Sequence, residues 1–568
     1  MELKELARQR PSELRILRQQ LDAGGDALFR VGLHTAGIPR TKGGLRIQDD
    51  EEFILRLRSS PLLPPTVEVD HFRFLGHPHV LQGIRLCIYL DPSREWQPWL
   101  GIAGLLTRLW DWLTDAAGGN FDASTAMYHA VGGVLHQTAG TPTIVVRDAG
   151  PLKRYQAITL VARSDHRFDL TWSKAALGHH TFAFTLEGDL PLGAATTFAV
   201  FLSRLDGPEQ DGLGAGAARV SMPSQAFLTM LLASALRNPE GSEQYFVVAV
   251  PHPVGGPAHL LGGRLPSSTA DDLRRLAREQ GTGVDLAPAK IKTEILIEWC
   301  SMSDERQEVT TRRDDRRPVN GFLGKKVHVW GCGGLGSWIA EFIARAGATE
   351  ITVCDPGTIT GGLLVRQNYV EDDIGLPKAD ALAARLRSIS DDLTVAVASG
   401  SIPDAPKTFL ATDLIVDATV SNSIAMYLDA FADEPQRRAV IAQVSTDSDS
   451  GTLGIVNLCA LDTKLVPSEI DQGAGQAILG NSKLELYHPL WQEPTDSAEL
   501  VPTRGCSVPT FHGSAADLAA VAATLVSLMG SHLHPAQSII SGTHLIALPH
   551  AAHGPRHYFH PADAGGSE

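Results

Sequence analysis

Apolar and polar positions change period several times along this 568-residue chain. Over residues 1–22 apolar residues recur every three or four positions, which predicts a polar amphipathic helix. Short alternating runs follow (LFRVGLH, GGLRI, EFILRLR, TVEVD), separated by turn residues, and each predicts a strand. From Gly101 to about Gly132 the spacing becomes helical again, so residues 1–138 read as one small α+β unit. Residues 139–305 carry further strand-like runs (TPTIVV, YQAITLVA, TFAFTL, YFVVAV), a glycine-rich break at 212–218, and helical patterns near 223–236 and 269–280. They predict a second α/β unit, to which the pattern assigns no role. The charged stretch 303–318 reads as a connector.

Beyond it the pattern settles into strand and helix in alternation. KKVHVW, EITVC, DLIVDAT and AVIAQV predict strands, with helices at LGSWIAEFIARAG, 377–389 and 422–431 between them. That rhythm predicts a parallel sheet and a Rossmann-like domain over 306–568, so the chain is expected to be α/β and multidomain. Residues 461–503 read as a polar, irregular crossover loop, and the last histidines (His550, His553, His557, His560) as a solvated tail. No period of roughly 20–50 residues marks a repeat array.

Composition narrows the function. With 43% apolar and 20% charged residues the chain reads as soluble and globular. A net charge of −15 argues against nucleic acid and anionic membrane as partners. No apolar run reads as reaching the roughly 18 residues of a membrane span, and the amino terminus reads as a charged helix rather than a signal peptide. The six cysteines are spread without a C-x-x-C pair, which excludes a zinc knuckle and suits a reducing, cytoplasmic setting.

The chemistry concentrates in three places. In GCGGLG, the glycines Gly331, Gly333, Gly334 and Gly336 follow a predicted strand and open a predicted helix. Such glycines let backbone approach a phosphate chain, and the helix amino terminus favours its charge. Asp355 ends the next strand, where a carboxylate can hold ribose hydroxyls. Arg366 and Lys378 flank a Gly-Leu-Pro turn, and Asp417 ends a later strand, where it could reach a metal. Cations around a triphosphate and a metal ligand suit adenylation better than hydride transfer, so a nicotinamide-dependent oxidoreductase is the weaker reading.

Over about residues 306–545 this pattern resembles the ubiquitin-activating and molybdopterin/thiamin sulfur-carrier adenylyltransferase family (ThiF type). The match rests on the Gly-x-Gly-Gly-Leu-Gly loop, Asp355, Arg366-Gln367, the Gly-x-Pro-Lys that ends in Lys378, and Asp417. The resemblance implies that a carrier protein's carboxyl terminus attacks the α-phosphate of ATP. It implies that Arg366 and Lys378 stabilise phosphate charge, that Asp417 holds Mg2+, and that the domain forms a homodimer. Leu363 stands where the family has asparagine. Arg316 or Arg317 is the candidate for the arginine that the family takes from a partner subunit.

Two cysteines stand apart from the rest. Cys506 follows an Arg-Gly turn and precedes an apolar helix, whose amino terminus would favour a thiolate. Cys300, Cys332, Cys354 and Cys459 read as structural. Cys87 lies seven residues after His77-Pro78-His79 and shortly before Trp96-Gln97-Pro98. That segment resembles the active site of ubiquitin-conjugating enzymes, with His79 where the family has asparagine, and the resemblance covers roughly residues 1–138. It implies that Cys87 takes the acyl group from Cys506 and passes it to a target, with Asp122 as an aid to the incoming amine. The domain order resembles the fused bacterial enzymes of ubiquitin-like conjugation systems in antiviral defence, including CBASS operons. The expected partners are a ubiquitin-like carrier protein and a protein target. A sulfur-carrier adenylyltransferase with an inert Cys87 and a catalytically degenerate scaffold are the alternatives.

Overall fold

A computed structural model of the chain describes all but residues 1, 72, 75–76, 82–83, 90, 122–137, 148–153, 174–175, 189, 191–194, 196, 207–222, 252–255, 282–294, 307–308, 310–313, 399–410, 493–499, 503–506, 510–512, 535–539, 552–553 and 563–568. The chain divides into two compact units, Met1–Thr311 and Arg312–Glu568.

The first unit holds two sheets. Strands β1 (Leu14–Leu21), β2 (Ala27–His34), β3 (Asp50–Leu57), β4 (Thr66–Glu68), β5 (Val80–Leu81) and β6 (Arg85–Leu86) pair antiparallel in the order 1-2-3-4-6-5. Helix α1 (Glu2–Gln9) stops well short of the predicted residue 22, because the residue before Pro11 is pushed out of helical backbone and β1 follows. GGLRI is not a strand. Leu45 and Ile47 are buried, and Gly44 lies so close to the end of the long helix Gly101–Gly118 that a Cβ there would sit 1.9 Å from the Ala117 carbonyl oxygen. Between these elements runs a short helix, α2 (Pro92–Glu95), so the long one is α3. Its first amides, from Ile102 and Ala103, donate to the Glu2 carboxylate at 3.0 and 3.2 Å, which satisfies donors that a helix start otherwise leaves open. Leu105, Leu109, Trp112 and Leu113 of α3 pack with Phe53, Leu55 and Val67 of the sheet.

The second sheet comprises β7 (Thr143–Val146), β8 (Tyr155–Ser164), β9 (Arg167–Thr171), β10 (His179–Thr185), β11 (Gln244–Val250), β12 (His259–Leu265), β13 (Glu298–Cys300) and β14 (Met302–Asp304), in the order 13-12-11-10-8-9-7-14. Every residue of β11 is buried, as expected of a central strand covered on both faces. Helices α4 (Phe198–Leu205), α5 (Pro223–Ala235) and α6 (Ser267–Gln280) contribute to the core on one face through Phe198, Phe201, Phe227 and Leu273.

The second unit carries the predicted parallel sheet. Strands β15 (Lys326–Trp330), β16 (Glu350–Cys354), β17 (Thr394–Val397), β18 (Leu414–Asp417) and β19 (Val440–Thr446) are parallel, in the order 17-16-15-18-19. Strand β20 (Leu453–Cys459) then adds antiparallel to β19. A hairpin of β21 (Leu500–Pro502) and β22 (Ser507–Pro509) stands apart, and β23 (Gly542–Ala547) and β24 (His557–Pro561) complete the sheet. The histidine-rich tail is therefore partly strand, since β24 pairs with β23. Helices α7 (Gly336–Arg345), α8 (Lys378–Arg387) and α11 (Ala515–Leu533) share the larger core, whereas α9 (Asn422–Ala432) and α10 (Pro467–Leu479) contribute to a second core beside Trp330 and Ile415.

Two expectations fail here. The stretch 461–503 contains α10, started by Pro467 and by the Val466 amide donating to Glu469, with Ile470, Ala474 and Ile478 buried. Helix α11 is long and apolar enough to cross a membrane by length and composition. Its alanines hide that length from a count of large apolar residues, while Leu518, Val521, Leu525 and Met529 sit fully buried in the core of the unit.

Candidate active site

The carboxyl ends of β15, β16 and β18 meet at one edge of the sheet, where open α/β sheets bind ligands. Their loops line a cavity of about 870 Å³ with Gly331, Gly333, Gly334, Asp355, Arg366, Gln367 and Lys378. Residues far apart in sequence thus converge, and all seven were singled out above. The glycines are required locally. Gly331 has φ +84°, and a Cβ on Gly336 would lie 1.8 Å from the Gly331 carbonyl oxygen. Gly333 differs, because the nearest atom to its Cβ position is Gln367 Nε2 at 3.9 Å, which leaves open space over the loop.

A layer of hydrogen bonds fixes this cradle from below. Asp355 accepts from the Cys332 and Gly357 amides, both at 2.7 Å. Ser337 Oγ donates to Gly333 O at 2.6 Å. The Tyr369 hydroxyl lies 2.8 Å from Cys332 O and 3.2 Å from Lys378 O, and so ties the glycine loop to the start of α8. Lys378 is the first residue of that helix, and its own amide donates to Gly357 O at 2.9 Å. Gln367 is buried, with its Oε1 lacking a hydrogen-bond partner. A buried acceptor left open costs roughly 1–3 kcal/mol, so it points to a donor supplied by a ligand. The cradle, the cations and that acceptor fit a nucleotide.

Asp417, the expected magnesium ligand, already carries hydrogen bonds of its own. That residue ends β18 as expected, but it is buried and lies outside the cavity lining. Its Oδ1 accepts from the Thr419 amide and hydroxyl at 3.0 and 2.7 Å, and its Oδ2 from Gln443 at 3.3 Å. These bonds shape the turn after β18 and leave Oδ2 a further lone pair. Among the described residues, Asp355 is the one carboxylate that lines the cavity. Sequence reasoning missed what that turn does. Thr419, Val420 and Ser421 line the cavity, and Val420 adopts φ +50°, a strained backbone for a branched residue. Asp417-Ala-Thr marked the place without naming them. Leu363, which stands where the family has asparagine, sits in a short 3-10 turn before Arg366 and outside the lining.

The first unit holds the other candidate site. His79 is buried and adopts φ +61°, a left-handed backbone that asparagine favours and histidine tolerates better than most residues. Its carbonyl accepts from the Cys87 amide at 2.9 Å, and its ring packs on Phe121 with centroids 4.7 Å apart. The structure thus gives His79 a backbone role at the cysteine, and a catalytic role for its ring rests on resemblance alone. Cys87 is half-buried and its thiol lies 3.3 Å from Tyr89 O. Burial pushes that thiol up to about 11, the Glu95 carboxylate adds to the shift, and Arg108 opposes it. Trp96 holds the following loop, donating through Nε1 to Pro61 O at 2.9 Å. Arg108 of α3 donates to Ile88 O at 2.7 Å and pairs with Glu95 at 2.9 Å. Nothing in the spacing of Glu95 and Arg108 announced their place beside the cysteine.

Cys506 and Asp122 lie outside the described residues. The expected helix after Cys506 is α11, which starts at Ala515 with Ser514 as its cap, and β22 intervenes. Cys300, Cys332, Cys354 and Cys459 are buried, and burial raises each thiol above its ordinary range. Arg316 and Arg317 precede the 3-10 turn Pro318–Phe322 that leads into β15.

Comparison with known proteins adds three matches. Residues 9–131 match the prokaryotic E2 family A, residues 180–305 the Cap2 central linker domain, and residues 322–544 the ThiF family. The chain is 31% identical over 101 residues to SAMP-activating enzyme E1 of Haloferax volcanii, covering 17% of this chain and 37% of that protein. It is 30% identical over 148 residues to tRNA threonylcarbamoyladenosine dehydratase of Escherichia coli, 25% of this chain and 54% of that one. It is 31% identical over 117 residues to the ATP-dependent ubiquitin transferase-like protein Cap2 of Enterobacter hormaechei, 20% of each. The matches thus span between a fifth and about half of these relatives. Among solved structures, E. coli MccB with ATP aligns over 43% of this chain and 66% of that chain at 15% identity, with a TM-score of 0.31.

Proposed function

We propose, from the premise that this chain is a fused E1/E2-like bacterial conjugation enzyme with a prokaryotic E2-type domain, a Cap2-type linker and a ThiF domain, that it activates and conjugates a ubiquitin-like protein. The observation that carries this reading is the convergence of Arg366, Gln367 and Lys378 on the glycine cradle of one cavity. In the first step a carrier's terminal carboxylate attacks the α-phosphorus of ATP. An oxygen–phosphorus bond forms, the bond to the β-phosphate breaks, and pyrophosphate leaves. Arg366 and Lys378 neutralise charge on the phosphates as that bond breaks, which is where fixed cations act most strongly. Magnesium would accompany the triphosphate as its counter-ion; among the described residues Asp355 is the one carboxylate in the cavity lining.

In the second step the Cys506 thiolate attacks the adenylate's carbonyl carbon and AMP leaves. The acyl group then moves to Cys87 by thioester exchange, and finally to an amine on a protein target. Carrying both cysteines on one chain replaces a bimolecular encounter with a high effective concentration. The cytoplasm is the expected compartment, a homodimer the expected assembly, and the resemblance to CBASS-type systems supports a role in antiviral defence.

The test uses Cys87→Ser and Cys506→Ser proteins expressed in the native host and examined by intact mass and reducing gel. A serine retains an acyl group as an oxyester, which survives reductant. The expected result is a carrier-sized adduct on Ser at position 87 that depends on ATP and on Cys506. An adduct at position 506 alone would leave only the activating half, with Cys87 inert. No adduct on either protein would overturn the proposal.

A further inference from the structure

Among the buried carboxylates of the second unit, Glu341 gathers donors from three segments. Glu341 lies midway along α7, with a side chain only 8% exposed, at a place where an apolar residue would pack without penalty. Taking a carboxylate out of water costs several kcal/mol unless partners repay it. Three donors do so here, and they come from three different segments. Arg345, one turn on in α7, donates at 2.7 and 3.0 Å. Arg385, in the last turn of α8, donates at 2.6 Å. Asn368 Nδ2 donates at 2.5 Å from the segment that begins with Arg366 and Gln367. Burial works to raise the carboxyl of Glu341, and these hydrogen bonds more than offset it, so the group stays ionised.

Each segment leads to a part of the nucleotide cavity. Helix α7 starts at the glycine cradle, α8 starts at Lys378, and Asn368 follows Gln367 directly. The Asn368 amide also donates to Ser337 Oγ at 3.2 Å, and that hydroxyl holds Gly333. Glu341 is not among the residues that line the cavity, yet it fixes the elements that carry both cations and the cradle. We infer that Glu341 is a positioning residue for triphosphate binding, which holds Arg366 and Lys378 in register with the glycine cradle. This inference rests on the adenylation reading for its purpose, though its geometry and its test do not require that chemistry follow. Preorganised cations lose much of their effect when displaced by as little as 1 Å.

The test is selective nucleotide binding by the full-length protein. Affinities for ATP and AMP are measured by calorimetry for the wild type, Glu341→Gln and Asn368→Ala, with thermal unfolding alongside. In Glu341→Gln one acceptor oxygen remains and the charge is lost, so the new amide group must face either Arg345 or the pair Arg385 and Asn368 with a donor, and one side of the shared site comes apart. ATP affinity should fall by at least about tenfold while AMP affinity stays within about threefold, because the cations act mainly on the outer phosphates. Asn368→Ala removes one donor only, and should lower ATP affinity by about threefold with the same selectivity. It carries the test if Glu341→Gln does not fold. A role in stability alone would lower the unfolding temperature and leave the ATP-to-AMP ratio unchanged, and that result overturns the inference. Wild-type protein that binds ATP selectively but releases no pyrophosphate with any carrier would refute adenylation and leave the positioning role standing. Wild-type protein that binds neither nucleotide would overturn both.

Discussion

The two candidate sites are built in opposite ways. The nucleotide cavity is made of the loops at one edge of a parallel sheet, with two cations and a glycine cradle in its lining. The Cys87 site is made of loops beside an antiparallel sheet, and burial, aided by Glu95 and opposed by Arg108, suppresses the thiol's reactive form. The first site is organised before anything binds. The second holds its sulfur mostly as the neutral thiol. The difference follows from the chemistry proposed for each. A phosphate chain is always charged and rewards fixed dipoles, whereas a thiol of raised pKa is a poorer leaving group, so its thioester loses the acyl group less readily to stray nucleophiles.

The sharpest way to break this contrast is inside the cradle. Gly336→Ala should lower ATP affinity by more than about 100-fold in calorimetry and lower the unfolding temperature as well. Its Cβ would sit 1.8 Å from the Gly331 carbonyl oxygen, so the loop must move. Gly333→Ala meets nothing closer than 3.9 Å and should keep the unfolding temperature while weakening ATP through the volume it takes from the cavity. If both variants bind ATP like the wild type, the cradle does not hold phosphate.

The thiol side is tested by pH. With its pKa near 11, Cys87 is ionised to about one part in a thousand at pH 8, against roughly a quarter for an ordinary cysteine. Alkylation by iodoacetamide, followed at the Cys87 peptide by mass spectrometry, should speed up about tenfold per pH unit from 8 to 10. Glu95→Gln removes an anion that raises the thiol and frees Arg108 from its ion pair, and both changes lower the pKa. The variant should react several-fold faster at pH 8. A rate that levels off near pH 8.5 in the wild type would show an ordinary thiol.

A smaller effect probes how the second unit sets the start of α11. Ser514 caps that helix, accepting from the Asp517 amide at 3.1 Å, and the Ala515 amide donates to Val365 O at 2.7 Å beside Arg366. Ser514→Ala should cost about 1 kcal/mol in chemical denaturation. The loss should leave Cys87 alkylation unchanged.

Legibility in sequence followed the same divide. The strand–glycine–helix pattern, Asp355 and the Arg366 and Lys378 pair could be read directly, because backbone-built sites leave fixed residues at fixed places along a regular alternation. Cys87 was legible through its spacing from His77-Pro78, but the groups that tune it were not. Glu95 and Arg108 reach it from α2 and α3, and only tertiary packing brings a charge from another element to a thiol. Glu341 was invisible for the same reason, since one acidic residue in a helical pattern reads as solvated surface. The helix predicted over residues 1–22 failed at Arg10-Pro11, where a local rule outweighed an apolar period. Helix α10 was lost to its polar composition, although Pro467 and Glu469 are proper start signals.

The smallest expected effect decides what Asp417 is for. Read from sequence, a carboxylate at the end of a central strand belongs to a metal. Read from the structure, its oxygens accept from Thr419 and Gln443, and it lies outside the cavity lining. Asp417→Asn keeps an oxygen for Thr419, and the Gln443 amide can turn its own oxygen toward the new Nδ2, so the turn should survive. The magnesium concentration that half-saturates ATP-dependent pyrophosphate release should then shift by less than about threefold. A metal ligand would behave otherwise, because losing one carboxylate from a divalent site weakens that ion by tenfold or more. A large rise in the magnesium requirement, with ATP affinity otherwise intact, would return Asp417 to the metal and show that its side chain turns into the cavity when nucleotide binds. A small shift would leave the cradle and its two cations as the protein's whole contribution to phosphate charge, which is the stronger form of the contrast with Cys87.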